Sequence, residues 1–195
     1  MKAYKDFIVS PIGDRYNNSK KVGDKELVLN TEVFNHQYVN RLAKVIATPL
    51  LFSSPINVGD EVIVHHNVFR RWHNVKGEEK NSRSYLGDNR YLISEDQLFL
   101  YKHDKWRAMP GYSFIKPIKS TDKFSVENEK SLVGIIKYSD GFFKEGELVG
   151  FSPRMQCEDF IEGERLYRVM NKFITIKYEY QGNEEEYNPS WTQGG

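Results

Sequence analysis

Apolar and polar positions alternate over short windows through most of the chain. In Asp60-Glu61-Val62-Ile63-Val64-His65, valines 62 and 64 fall on one face. In Phe173-Ile174-Thr175-Ile176-Lys177-Tyr178, Ile174, Ile176 and Tyr178 point one way, and Thr175 and Lys177 the other. A period of two is that of a half-buried strand. Turn signals punctuate the pattern: Val58-Gly59-Asp60, Leu86-Gly87-Asp88-Asn89, Asp140-Gly141, Glu145-Gly146 and Glu162-Gly163. Helical spacing is scarce. Ser94-Glu95-Asp96-Gln97 predicts one short turn, which Ser94 can cap. The pattern predicts an all-β chain built from small barrels.

The pattern also repeats. Phe7-Ile8-Val9-Ser10-Pro11-Ile12 reads like Phe114-Ile115-Lys116-Pro117-Ile118, and Ala43–Ala47 like Leu132–Ile136. Val58–Val64 matches Glu145–Phe151, and Tyr91–Tyr101 matches Tyr167–Tyr178 with one residue inserted. The same order of blocks twice over predicts tandem copies of one fold. The first domain is predicted over 1–103, with a loop at about 14–40. A linker follows at 104–112, closed by Pro110-Gly111, and then a second, degenerate copy over 113–179. Residues 180–195, rich in Glu and then in Pro, Ser and Gly, predict a flexible tail, loosely docked at most through Trp191.

One segment breaks the alternation. Gly13-Asp14-Arg15-Tyr16-Asn17-Asn18-Ser19 is almost wholly polar, and the stretch after it carries an isolated apolar triplet, Leu27-Val28-Leu29. Two readings follow. The triplet is an ordinary strand, continued by Glu32-Val33-Phe34, or it is a grip for a partner, presented on a polar loop.

Composition narrows the chemistry. Lys and Arg number 28 against 27 Asp and Glu, without the basic excess of a phosphate-contacting nucleic-acid binder. Phe69-Arg70-Arg71-Trp72-His73-Asn74-Val75-Lys76-Gly77 mixes cations with aromatics, as single-strand-binding barrels do, but a solvated hairpin or an inter-subunit contact is the preferred reading. His65, His66, His73 and His103 match no zinc spacing, and His65 and His66, adjacent on a strand, are expected on opposite faces. No metal and no cofactor are expected. No P-loop, nucleophile elbow or dinucleotide fingerprint occurs, so no catalytic residue is expected either. The single cysteine, Cys157, lies beside Glu158 and Asp159, whose charges disfavour a thiolate. One cysteine forms no internal disulfide, which suits a reducing cytosol. Neither a signal peptide nor an apolar run of about 20 residues is present.

The first copy resembles the GroES-type co-chaperonins, the lids of chaperonin rings. The resemblance rests on the opening Phe7-Ile8-Val9, the polar loop with its aliphatic triplet, the return strand Leu42–Ala47, the "VGDEVIV" of Val58–Val64 and the closing Tyr91–Tyr101. Ser94-Glu95-Asp96-Gln97-Leu98-Phe99 follows the family's closing pattern, with Gln97 where the family usually has Asp. The family's glycines before the triplet are absent, the nearest being Gly23. The resemblance implies two tandem GroES-like barrels, a mobile loop at about 14–40, and contact with the apical domains of a chaperonin through Leu27, Val28 and Leu29. The shorter loop 121–131 of the second copy has no such triplet. The implied partners are a GroEL-type ring, a folding substrate and further copies of this chain in a ring, without nucleic acid or membrane. ATP would be hydrolysed by the chaperonin. The lack of an Arg/Ser-rich leader points away from an organellar precursor and toward a bacterial cytosol, with a phage-encoded protein as the preferred source. In the family, the connection matching Thr48–Pro55 forms the roof of the dome. A phage structural or assembly protein built from small β-barrels is the alternative, ahead of a barrel-type nucleic-acid binder.

Overall fold

The computed structural model describes residues 2–16, 19–22, 25–28, 38–121 and 128–187. The chain divides into two compact units, Met1–Trp106 and Arg107–Gly195. Among the described residues the regular elements are strands and single 3-10 turns, and the chain is all-β. No helix there is long and apolar enough to cross a membrane.

The first unit holds β1 (Phe7–Pro11), β2 (Ser19–Val22), β3 (Lys25–Val28), β4 (Leu42–Ala47), β5 (Glu61–Val64), β6 (Arg71–His73), β7 (Glu79–Asn81), β8 (Tyr85–Gly87), β9 (Arg90–Ile93) and β10 (Leu98–Lys102). At the boundary, β11 (Trp106–Ala108) completes a sheet in the order β11-β10-β5-β4-β1-β9-β8. Its core includes Phe7, Val9, Val45, Val62, Val64, Phe69, Tyr91, Leu98 and Leu100. Sequence alternation predicts one buried face for β5, but Ile63 is buried as well as Val62 and Val64. Both faces of β5 therefore find cover, while its hydrogen-bonded neighbours β10 and β4 occupy its edges. The predicted turn is the 3-10 segment Glu95–Gln97, where the Ser94 amide donates to Gln97 Oε1 at 3.2 Å. Gln97 thus closes the cap.

The second unit holds β12 (Tyr112–Lys119), β13 (Glu129–Ser139), β14 (Leu148–Phe151), β15 (Gln156–Ile161), β16 (Glu164–Met170) and β17 (Ile174–Tyr178), in the order β15-β16-β12-β13-β14-β17. Ile115, Ile136, Val149, Phe151, Tyr167 and Val169 form its main core cluster, and Ile118, Val133 and Leu148 a second one. The face predicted to be buried on β17 is covered only at its start: Ile174 packs against the main cluster, whereas Ile176 and Tyr178 are exposed. β17 is the end strand of its sheet.

The two sheets share one strand order. β10-β5-β4-β1-β9-β8 runs parallel, member by member, to β17-β14-β13-β12-β16-β15. The registers agree as well. The ladder slips by one residue at the same place in each: β4 carries an extra residue, Ile46, opposite Ile8 and Val9, and β13 carries Lys137 opposite Phe114 and Ile115. Val9 faces Tyr91 and Val45, as Ile115 faces Tyr167 and Ile136. The turn glycines also correspond. Gly59 (φ 98°) donates to Val45 O at 2.9 Å, and Gly146 (φ 88°) to Ile136 O at 2.7 Å. These pairings shift three of the sequence alignments, the first by one residue, since Ile8 rather than Phe7 takes the place of Phe114. Val45 matches Ile136, two residues beyond the match predicted from Ala43–Ala47. A slip of two keeps every side chain on its face, so alternation does not detect it. The last block needs no inserted residue, because Leu98, Leu100 and Lys102 take the positions of Ile174, Ile176 and Tyr178. Both sheets are open, and no closed barrel is found among the described residues.

The segment expected to be a flexible tail is docked in part. Glu186 bridges Ile118 of β12, Tyr187 N donates to Pro117 O (2.9 Å) and Lys119 N to Glu185 O (2.7 Å). Lys119 Nζ meets Glu185 at 2.5 Å, and Lys116 Nζ binds Glu186. β16 pairs with β12 only as far as Ile115, which leaves this edge of β12 to be covered.

Candidate partner-binding arm and its neck

Two of the three predicted grip residues, Leu27 and Val28, lie on β3. Leu29 lies outside the described residues. β2 and β3 form a hairpin with Ser19 opposite Val28, Lys20 opposite Leu27, Lys21 opposite Glu26 and Val22 opposite Lys25. The hairpin is a two-stranded sheet of its own and not a member of the seven-stranded sheet. The continuation Glu32-Val33-Phe34 also lies outside the described residues.

The two ends of this segment are zipped together where they leave the main sheet. Tyr16 bridges Val39, and Asn40 N donates to Arg15 O at 2.9 Å. Asn40 is buried, and its side chain serves three backbone groups. Nδ2 donates to Ile12 O (2.7 Å) and Asp14 O (2.8 Å), and Oδ1 accepts from Leu42 N (2.9 Å). An amide can do this where a carboxylate cannot, because it carries donors and acceptor together.

A second set of contacts bolts this neck to the connection between β5 and β8, whose β6–β7 hairpin has no counterpart among the described strands of the second unit. Arg15 donates from Nε and Nη2 to Phe69 O (3.1 and 2.8 Å) and from Nη1 to Asn81 Oδ1 (2.7 Å). Arg71 N donates to Tyr16 Oη at 2.7 Å, and its guanidinium lies 4.8 Å from the Tyr16 ring centroid. Beneath lies Tyr91, wholly buried, edge-on to Phe69 at 4.7 Å with the Arg15 guanidinium 5.5 Å from its ring. Burial pushes its phenol above the ordinary range, and Arg15 pulls the other way. The hairpin of β6 and β7 therefore has a place in the structure: it braces the root of the arm. Its cations are engaged nearby, Arg71 with Glu79 at 3.2 Å and Lys80 with Glu78 at 3.0 Å, and Trp72 Nε1 donates to Asn81 O at 3.2 Å.

The other sequence candidates land as follows. His65 and His66 follow β5 rather than lying on a strand, and their rings stack at 4.2 Å instead of facing opposite ways. Among the described residues no cluster of His, Cys, Asp and Glu has metal-holding geometry. His103 instead clasps Asp60 of the "VGD" turn: Nδ1 lies 2.8 Å from Asp60 Oδ1, and Nε2 2.9 Å from Pro55 O. The bond to Asp60 holds its pKa above the usual imidazole range, against a small opposing effect of burial. Cys157 is exposed and faces Arg168 across β15 and β16, so its surroundings are not those of its acidic neighbours alone. In the connection after β4, Leu50 and Leu51 are exposed, while Phe52 packs edge-on against Phe7 at 6.3 Å.

Sequence reasoning missed Arg15, Tyr16, Asn40 and Asn81. The signal for them was faint: a polar residue with a structural task looks like any loop residue until its partners are placed. Compared with known proteins, the chain matches no family model and no curated relative.

Proposed function

We propose that this protein is a tandem GroES-like co-chaperonin, a lid that caps a chaperonin ring and grips it with Leu27, Val28 and Leu29. The reading rests on the arm: a hairpin outside the main sheet, with Leu27 and Val28 on its second strand and a clamped neck at its root. The shared strand order of the two units supports a doubled fold, and in this reading each sheet belongs to a small barrel. Only the first unit carries the triplet, so the first unit binds and the second enlarges or completes the lid.

The energetics suit a reversible lid. Burying Leu, Val and Leu gains about 1.5–3 kcal/mol each. Ordering the arm costs about 1–2 kcal/mol for each residue fixed. The two nearly cancel, so one arm binds weakly. Several arms in a ring bind together, because each later contact is intramolecular. Release then needs only a modest change in the partner. The lid does no chemistry itself, and the ring hydrolyses the ATP.

Co-purification with a chaperonin ring in ADP-containing buffer tests the proposal. The wild-type chain is retained, and the Leu27→Asp/Leu29→Asp variant is lost from the ring while still melting cooperatively. Wild-type protein that never associates with the ring overturns the reading. A double variant that unfolds shows that the triplet belongs to the core.

A further inference from the structure

The second unit contains a cavity of about 410 Å3, a size that suits a small ligand or one long side chain. Phe151, Tyr167 and Tyr187 supply apolar lining, and Glu129, Gln156 and Arg165 supply polar lining. Arg165 is already held on two sides, by Glu129 Oε2 and Glu158 Oε1, each at 2.6 Å. The other oxygen of Glu129 accepts the Tyr167 hydroxyl at 2.7 Å. One guanidinium is set against two carboxylates, Glu129 on the lining and the more exposed Glu158 behind Arg165, so this cluster carries one more negative than positive charge. An anion reaching Arg165 would have to displace a carboxylate, whereas a cation neutralises the surplus.

Two further observations point to a ligand. Gln156 Oε1 is buried with no hydrogen-bond partner, an acceptor that a bound donor would satisfy. Leu132, also on the lining, has φ +59°, a conformation that non-glycine residues adopt rarely and that gathers at functional sites. The shared scaffold does not require the arrangement. Tyr91 of the first unit takes the place of Tyr167, yet its hydroxyl is buried without a partner, and Asn89 stands where the second unit has Arg165.

We propose that this cavity binds one organic monocation, a guanidinium or primary ammonium on an apolar stem, its charge toward Glu129 and a donor on Gln156 Oε1. Aromatic rings beside the stem suit such a ligand. The site is independent of the arm on residues 27–29.

Calorimetric titration of the full chain with butylguanidinium, butylammonium and butyrate tests it. The two cations bind saturably, and butyrate binds more weakly by about tenfold or more. Gln156→Leu leaves the pairs of Arg165 in place and weakens butylguanidinium by about tenfold. Glu158→Gln, at the more exposed of the two carboxylates, removes the surplus charge and also weakens binding. A blocked Gly-Arg-Gly peptide separates the sources. Preference for the peptide assigns the site to a protein side chain, preference for butylguanidinium to a free amine, and either result supports the cation site. Absence of saturable binding by all the cations, equal binding of butyrate, or unchanged affinity in both variants overturns it.

Discussion

Gly134 lies where β13 crosses closest to β12. A Cβ there would sit 2.4 Å from Lys116 O and 2.6 Å from Ile115 Cγ2. Backbone cannot yield as a flexible side chain does. Gly134→Ala is therefore expected to destabilise the second unit by about 1–3 kcal/mol, read as a lower urea midpoint. The matching position in the first unit is Ala43, so the missing methyl is a local requirement and not a rule of the fold. Asp159 and Arg168 carry a second residue-scale prediction. Asp159 is 1% exposed, and its Oδ2 lies 3.5 Å from Arg168 Nη1. Burial pulls the Arg168 guanidinium below its ordinary range, against the opposing effect of Cys157. Asp159→Ala removes the carboxylate from beside that buried guanidinium and is expected to cost about 3–5 kcal/mol. Replacing both residues with Leu should cost less than the single change, and a thermal-denaturation cycle measures the difference. Cys157 stands across the ladder from Arg168, a neighbour that chain order does not reveal.

At the scale of elements, the repeat was legible and the neck was not. Tyr91 and Tyr167, and the glycine turns at Gly59 and Gly146, kept their character in both copies because each occupies a position with a steric demand: a large buried ring, or a backbone at positive φ. The brace of β6 and β7 has three-residue strands with mostly polar side chains, too short for any period to register. Residues 185–187 read as tail because a run of glutamates resembles disorder, yet Glu185 and Glu186 find Lys119 and Lys116 on β12. Leu27, Val28 and Leu29 were visible only as an anomaly, an apolar triplet among polar residues. Asn40 tests the neck. Asn40→Ala removes the partners of Ile12 O, Asp14 O and Leu42 N together and is expected to cost about 1–3 kcal/mol. Hydrogen exchange should then quicken at Asn40 and Leu42 and leave β12–β16 unchanged. Uniform loss of protection across both units would mean that the neck is part of the global fold rather than a local clamp.

For the whole molecule, the two units are set to respond to pH in opposite directions. In the first, His103 gains a carboxylate partner on folding, and its pKa is raised. A raised pKa means that its stabilising effect is complete below the unfolded value of about 6.5 and is lost as pH rises through the higher folded value. The imidazole faces Asp60 Oδ1 on one nitrogen and Pro55 O on the other, and only the protonated ring donates to both. In the second unit, Glu164 is partly buried, which raises its pKa, but its bonds to Lys137 and Lys116 outweigh this and hold it below the ordinary range. A depressed carboxyl stabilises above its unfolded value of about 4.3 and loses that effect as pH falls through the folded one. Acidification from mildly alkaline to mildly acidic conditions should therefore tighten the first unit, and further acidification should loosen the second. Hydrogen exchange resolved by region across this range is expected to show rising protection at Asp60–Val64 and then falling protection in β16. His103→Gln should abolish the first change and Glu164→Gln the second. If both regions instead lose protection together on acidification, His103 does not act as a clasp and the titration of the molecule is carried by its surface carboxylates.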